Sequence, residues 1–172
     1  MKNLCSKRLN LLVATPQIME AAISGRRELA QLLQVNVLDG YSEYGVPVLS
    51  FILNKYKEDE SQIAWWTYLV LYLEKNEIIG TCGYKGAPGE SGEVEIGYEI
   101  GLPYRGQGLA TEVANALFEH AINDPKVRFV SAKTLAEPNA STRVLEKCGF
   151  EKTATFHDPH EGFRIWYWQR WQ

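Results

Sequence analysis

The chain has 172 residues, of which 45% are apolar and 23% are charged, and its formal net charge is −3 at pH 7. This composition is typical of a globular protein with its own core, so we expect one domain over residues 1–172. The slight negative charge disfavours nucleic-acid binding, which favours a basic surface. No apolar run approaches the ~20 residues of a membrane span, so no membrane partner is expected.

Three cysteines, Cys5, Cys82 and Cys148, are scattered along the chain and form no CxxC pair. This odd, unclustered set is typical of a reducing compartment, and we expect a cytoplasmic location. His157 and His160 flank a polar loop, but no further ligands lie nearby in the sequence. We therefore expect no metal site.

The first part of the chain predicts a strand followed by helices. Thr15 is expected to cap the first helix, and Ser24 the second. In the third helix, Val48, Ile52 and Tyr56 share one face. The expected ranges are 8–14 for the strand, 18–23 and 26–33 for the first two helices, and from Pro47 onward for the third.

From residue 66 onward the pattern changes to that of a sheet, because aromatic and β-branched residues dominate. Asn76 lies in a predicted hairpin turn, where it suits a positive φ. The order of elements predicts an α/β (α+β) fold, with a mixed, mostly antiparallel sheet of about seven strands flanked by helices on both faces. Strands are expected over 66–73, 78–84, 93–100, 127–135, 150–156 and 163–168, and helices over 109–122 and 140–148.

The middle of the chain reads as strand, glycine-rich turn and helix. Glu93–Ile100 alternates apolar with charged or small residues, and Leu109–Ile122 carries an apolar stripe. Between them, Gly106 and Gly108 let an anion approach the backbone. The first N–H groups of the helix lack intrahelical partners and can bind a pyrophosphate, while Arg105 can add charge-assisted bonds. The alternative is a plain β-to-α connection that uses glycine for its turn.

The same turn, Arg105–Ala110, fits the Arg/Gln-x-x-Gly-x-Gly/Ala loop of the GCN5-related N-acetyltransferase (GNAT) superfamily. Glu95–Tyr98 resembles that family's fourth strand, and Asn139–Phe150 resembles its closing helix with the start of the next strand. The chain is most similar to the subgroup typified by the ribosomal-protein N-terminal acetyltransferases RimJ and RimL. The resemblance implies a GNAT-like fold and an acyltransferase that uses acetyl-CoA as cosubstrate.

The resemblance also implies where this cosubstrate lies. The pyrophosphate is expected on the turn, the pantetheine arm along the backbone of residues 99–102, and the thioester carbonyl near the N–H of Ile100. Asn139 is expected to hydrogen-bond the arm. Arg143 lies four residues before Lys147 and faces either the phosphates of CoA or solvent. The expected cofactor-binding residues are Ile100, Leu102, Arg105, Gly106, Gln107, Gly108, Leu109, Ala110, Asn139 and Arg143.

Proton transfer is assigned to two side chains. An acceptor ammonium must lose a proton before attack, and Glu95 is the expected base, directly or through water. Alternation places Glu93, Glu95 and Glu99 on one strand face, where each is either a candidate or a solvent-side residue. Many family members have a tyrosine where this chain has Leu145. Ser141 is the expected proton donor instead, and the alternative is that it only helps to cap a helix.

The expected acceptor is a primary amine, either a protein N-terminal α-amine, as the subgroup implies, or a small molecule. Glu43 and Tyr44 lie in the loop where this family forms part of its acceptor groove, and we expect them to line it. The acetyl group would pass by direct attack in a ternary complex. The alternative is a non-catalytic module that binds acetyl-CoA or CoA. The sequence leaves both a monomer and a homodimer open.

Overall fold

The computed structural model of the protein describes residues 2–43, 45–158 and 162–172. The strands are β1 Leu4–Cys5, β2 Leu9–Val13, β3 Asn36–Val37, β4 Thr67–Tyr72, β5 Glu77–Tyr84, β6 Glu93–Ile100, β7 Phe129–Leu135, β8 Glu151–His157 and β9 Arg164–Trp171. The helices are α1 Pro16–Ser24, α2 Arg26–Leu33, α3 Val46–Glu58, α4 Leu109–Ile122 and α5 Ala140–Lys147. The strands form one sheet in the order β1-β2-β4-β5-β6-β7-β9-β8, and β3 pairs with β5.

The mixed, mostly antiparallel sheet predicted from the sequence is confirmed. Only the β3–β5 and β6–β7 pairs are parallel within the described ranges. All the predicted strands are present close to their expected bounds. The sequence does not predict β1 and β3, because each has only two residues and two residues show no periodicity.

One local prediction in the helical region is wrong. Ser24 does not cap α2: it ends α1 and its hydroxyl donates to the carbonyl of Glu20 at 2.9 Å, so Gly25 takes the cap position without a side-chain bond. On the face that Val48 shares with Ile52 and Tyr56, Val48 is 41% exposed. The buried residues of α3 are Leu49, Ile52, Leu53 and Tyr56.

Helices cover both faces of the sheet, as expected. On β2, Leu9, Leu11 and Val13 are buried in the same cluster as the apolar stripe of α4. On the other face, Leu29 of α2 packs with Ile78 of β5 in a second cluster. The alternation of strand side chains therefore divides the core into two layers on either side of one sheet.

The sheet opens between β6 and β7. These two strands pair in parallel only over three positions, from Glu93 opposite Phe129 to Glu95 opposite Ser131. Within the described ranges, residues 96–100 of β6 then pair with β5 alone, while β7 continues along β9. The resulting gap lies at the end of β6, directly before the glycine-rich turn.

Candidate active site

The turn before α4 presents backbone donors to solvent. Gly106 and Gly108 have φ values of 78° and 77°, which favour glycine, and Gly108 is the N-cap of α4 without a side-chain bond. In the part of the chain that the structure describes, the N–H groups of residues 106–110 have no hydrogen-bond acceptor. Unpaired N–H groups at a helix start bind anions, and the helix dipole adds to this preference.

Arg8 fixes this turn from the start of β2. Its Nη2 donates to the carbonyl of Gln107 at 2.9 Å, and its Nε lies 2.5 Å from Oε1 of Glu112 on α4. Glu112 also accepts from the hydroxyl of Ser6 at 2.9 Å. Burial raises the pKa of Glu112, but the hydrogen bonds from Arg8 and Ser6 outweigh burial, so the pKa lies below its ordinary value. Local sequence patterns cannot predict this contact, because Arg8 and Gln107 lie 99 residues apart.

A cavity of about 460 Å³ lies between the end of β6 and the helices α4 and α5. On the α5 side, Ser141, Arg143 and Lys147 line it, so two cationic side chains face the same space as the open turn. This arrangement suits a ligand with several phosphate groups. Of the residues predicted to bind the cofactor, the cavity is lined by Ile100, Arg105, Gly106, Gly108, Leu109, Ala110 and Arg143.

Three other predicted residues lie outside this lining. Leu102 is 74% exposed, and Gln107 directs its side-chain amide to the carbonyl of Pro103 at 3.3 Å. Asn139 is the N-cap of α5, and its side-chain oxygen accepts from the N–H of Thr142 at 3.0 Å. In return, the hydroxyl oxygen of Thr142 accepts from the N–H of Asn139. The amide nitrogen of Asn139 is the part of this side chain that is left to contact a ligand.

The guanidinium of Arg105 bridges the strand end and the neighbouring loop. Its Nε donates to the carbonyl of Ile100 at 2.7 Å, and its Nη2 lies 3.4 Å from Oε1 of Glu43. Glu43 therefore lies at the edge of the large cavity, which it lines. Tyr44, the other residue predicted to line the acceptor groove, lies outside the described residues.

The backbone of Ile100 faces the gap between β6 and β7. The N–H of Gly101 donates to the carbonyl of Ile79 on β5 at 2.8 Å. Because neighbouring residues of a strand direct their N–H groups to opposite edges, the N–H of Ile100 points to the open side. The carbonyl of Ile100 already accepts a hydrogen bond from Nε of Arg105. An extended ligand in the gap can therefore meet this N–H.

The three glutamates of β6 share a face, as predicted, but they have different partners. The side chain of Glu95 is 12% exposed and lies between Lys85 and Lys133. The Nζ of Lys85 contacts its Oε1, and the Nζ of Lys133 lies 2.7 Å from its Oε2. Glu93 accepts from the hydroxyls of Ser131 and Tyr167, both at 2.6 Å, and therefore joins β6 to β7 and β9.

Glu99 is the one of the three that lines the large cavity. Its Oε1 accepts from the hydroxyls of Ser42 and Thr81, both at 2.6 Å, and its Oε2 accepts from the N–H of Glu43 at 3.0 Å. These donors are neutral, whereas both partners of Glu95 are ammonium groups. The two carboxylates differ in local charge, and the sequence could not show this because their partners come from distant elements.

A second cavity of about 190 Å³ lies against α3 and strands β4 to β6. Tyr98 lines both cavities, and its hydroxyl lies 3.5 Å from the carbonyl of Ser141. Burial raises the pKa of this hydroxyl, so it remains protonated at neutral pH and can donate a hydrogen bond. Leu145 is 1% exposed and lies in the core, away from either lining.

Within the described ranges, no group of three or more His, Cys, Asp or Glu side chains is placed to hold a metal ion. The same ranges contain no helix with the length and apolarity that crossing a membrane requires.

The family model described as "Acetyltransferase (GNAT) domain" matches residues 26–151. The uncharacterized N-acetyltransferase p20 of Bacillus licheniformis is 30% identical over 91 residues, which are 53% of this chain and 51% of that protein. The chain thus spans about half the length of the curated relatives it matches.

Two solved structures share the fold over nearly the whole chain. The RimL ribosomal L7/L12 α-N-protein acetyltransferase in complex with coenzyme A has a TM-score of 0.71 at 15% identity, covering 99% of this chain and 98% of its own. The microcin C7 self-immunity acetyltransferase MccE in complex with acetyl-CoA and AMP has a TM-score of 0.68 at 13% identity, covering 97% and 94%. Because the family model matches well over half of its residues, the chain belongs to the GNAT acetyltransferase family.

Proposed function

We propose that this chain is an acetyl-CoA-dependent N-acetyltransferase that moves an acetyl group to a primary amine by direct attack in a ternary complex. The observation that carries the proposal is the set of unpaired N–H groups at residues 106–110, which border a cavity of about 460 Å³ next to the β6–β7 gap. RimL and MccE, which share the fold, are both acetyltransferases with CoA or acetyl-CoA bound. We treat residues 1–172 as one domain that acts in the cytoplasm, where its free cysteines stay reduced.

The cosubstrate is held by its phosphates and by its pantetheine arm. The N–H groups of Gly106, Gln107, Gly108, Leu109 and Ala110 bind the pyrophosphate, and Arg143 with Lys147 supplies positive charge along α5. The arm enters the β6–β7 gap, where the N–H of Ile100 donates to the thioester carbonyl as negative charge develops. Leu102, two residues after the end of β6, also contacts the arm. Asn139 donates a hydrogen bond to the arm from its side-chain amide nitrogen. Arg105 keeps its Nε on the carbonyl of Ile100 and can offer N–H groups of its terminal nitrogens to a phosphate.

Acetyl transfer requires one bond to form and one to break. The amine nitrogen, after losing a proton, forms a C–N bond to the thioester carbon, and the C–S bond breaks. The CoA thiolate leaves and takes up a proton from Ser141, from Tyr98 at the junction of the cavities, or from water. The acceptor is a protein N-terminal α-amine or a small amine.

Glu95 is the base expected from the sequence, and Glu99, a candidate on the same strand face, is supported by its contacts. Both carboxylate oxygens of Glu95 already contact ammonium groups. The hydroxyl donors to Glu99 are neutral, and its carboxylate borders the large cavity, so Glu99 is better placed to contact an amine there.

Glutamine substitutions decide between these candidates. We expect the variant of the true base to lose about 100-fold or more in kcat, because general base catalysis contributes about 10²–10⁴-fold. CoA release from acetyl-CoA is measured with a panel of amines and peptides for Glu95→Gln, Glu99→Gln and the exposed control Glu90→Gln. Full activity in both test variants would refute both assignments. Tight CoA binding without turnover in the wild type would favour the non-catalytic module.

A further inference from the structure

We propose that the acceptor is a primary amine with an apolar or aromatic side chain next to its nitrogen, and that the cavity of about 190 Å³ binds this side chain. The inference deepens the proposed acetyl transfer and rests on it. The cavity lies between α3 and strands β4 to β6, and it meets the large cavity at Tyr98.

The α3 side of the cavity includes exposed apolar residues that are not part of the core. Val48 and Phe51 of α3 line it and are 41% and 54% exposed, although the buried face of α3 is supplied by other residues. Phe51 meets Trp66 edge to face, with ring centroids 6.4 Å apart. An exposed apolar patch beside a concave site is typical of a surface that binds apolar groups.

The floor of the cavity is open because a strand residue there has no side chain. Gly97 lies on β6 between Glu95 and Glu99, on the same face, and a Cβ atom at Gly97 would meet nothing within 4 Å. Opposite it, Gly83 has a φ of 151°, and a Cβ there would collide with the carbonyl of Trp66. The backbone therefore requires glycine at position 83, whereas at position 97 the absence of a side chain only leaves space.

Charge at one end of the cavity suits an ammonium group. Thr81 lines the cavity and donates to Glu99 at 2.6 Å, and Glu99 also borders the large cavity. In the part of the chain that the structure describes, the hydrogen-bond donors to Glu99 are neutral, and no ion pair balances its negative charge. Lys85 also lines the cavity, but its ammonium is paired with Glu95.

These features place the two parts of one ligand. The ammonium lies near Glu99, where the thioester arrives from the large cavity, and the adjacent side chain points towards Gly97 and Phe51. The volume of about 190 Å³ is below the ~300–1,000 Å³ of sites that enclose a drug-sized ligand, so it suits a single side chain.

The test compares acceptors that differ only in this side chain. The kcat/KM for acetyl transfer is measured with the amides of phenylalanine, leucine and serine, and with peptides that begin with phenylalanine or serine. We expect the apolar acceptors to exceed serine by about 10-fold or more in each series, since apolar contacts discriminate by about 10–200-fold. The two series also distinguish a free amine from a chain end as the source.

Two pairs of variants connect this preference to the cavity. Gly97→Val fills the floor and should lower the ratio of phenylalanine to serine activity by about 10-fold, whereas Gly89→Val, which also meets nothing within 4 Å, should leave the ratio unchanged. Phe51→Ala should lower the same ratio, whereas Val46→Ala, at a position on the same helix that is 52% exposed, should not.

The outcomes separate the two levels of the proposal. If no acceptor releases CoA from acetyl-CoA, the proposed acetyl transfer fails and this inference fails with it. If serine acceptors react as well as phenylalanine acceptors, or if Gly97→Val leaves the ratio unchanged while the protein still binds CoA, this inference alone is overturned.

Discussion

Arg8 and Glu112 connect the first long strand to the turn that presents the N–H groups of residues 106–110. Arg8 donates to the carbonyl of Gln107, and Glu112 accepts from both Arg8 and Ser6. The side chains of Arg8 and Glu112 are 36% and 22% exposed, so water screens the pair only in part. We infer that this contact holds the turn in place before any ligand arrives.

This contact predicts a stability difference that depends on pH. The pKa of Glu112 lies below its ordinary value of 4.5, so its contribution is complete above pH 4.5 and is lost as the pH falls through the lowered pKa. Glu112→Gln should lower the free energy of unfolding by about 1 kcal/mol at about pH 7, and the difference from wild type should shrink towards about pH 3. Urea unfolding at both pH values measures this.

Glu58→Gln is the matched control, because Glu58 is 64% exposed and pairs with the nearby Lys55. Its effect should stay within a few tenths of a kcal/mol, about the value of an exposed helical pair. An equal loss for Glu112→Gln at both pH values would show that packing, and not the carboxylate, supplies the stability.

Single residues also show where sequence reasoning ends. Strand alternation correctly placed Glu93, Glu95 and Glu99 on one face. It could not show that Lys85 and Lys133 enclose Glu95, since the first follows β5 and the second lies on β7. Local patterns predict which way a side chain points, but its partners depend on how distant strands are ordered in the sheet.

At the start of helix α5, one residue has two expected roles. Asn139 caps this helix through its side-chain oxygen and is also expected to contact the cosubstrate through its amide nitrogen. Asn139→Ala should lower the free energy of unfolding by about 1 kcal/mol, whereas Asn139→Ser keeps a cap and should stay near wild type. Both variants should raise the KM for acetyl-CoA by about 3- to 10-fold, the value of one hydrogen bond.

Thermal unfolding and steady-state kinetics of both variants separate the two roles. A normal KM in Asn139→Ser would show that Asn139 only caps the helix. Lys147→Gln, in the last turn of the same helix, removes a charge from the large cavity without touching the cap and serves as the comparison.

Elements with strong periodicity or clear end signals could be predicted from the sequence. Strand β6, the turn with its two glycines and α4 have the expected bounds, because period-two alternation, glycine and the apolar stripe all agree there. The periodicity of α3 does not show which apolar residues are buried, because Val48 and Phe51 are apolar but exposed and line a cavity. An apolar residue at a binding surface has the same sequence signal as a core residue.

At the scale of the whole molecule, the divergence of β6 and β7 brings the two cavities together. The strands separate after Glu95, and Tyr98, three residues further along β6, lines both spaces. The cavity beside the turn that presents N–H groups and the cavity beside α3 therefore adjoin each other at Tyr98. The sequence predicted the turn but not this second cavity, because its walls come from four separate elements.

Ligand binding at the turn should stabilise the whole fold. Acetyl-CoA at about 100 times its Kd adds about 2.7 kcal/mol, which for a chain of this size raises the Tm by about 5–10 °C. Pantetheine, which lacks the pyrophosphate, should give a much smaller rise at the same concentration. Differential scanning fluorimetry or calorimetry measures both shifts.

A pair of glycine variants ties this shift to the turn. Gly108→Ala and Gly162→Ala both place a Cβ on a residue with positive φ, at 77° and 71°, which costs about 1–2 kcal/mol in each case. Only Gly108 is the N-cap of α4 and lines the large cavity. Gly108→Ala should therefore lose most of the rise in Tm with acetyl-CoA, whereas Gly162→Ala should keep it. An undiminished rise in Gly108→Ala would mean that the pyrophosphate binds away from the start of α4.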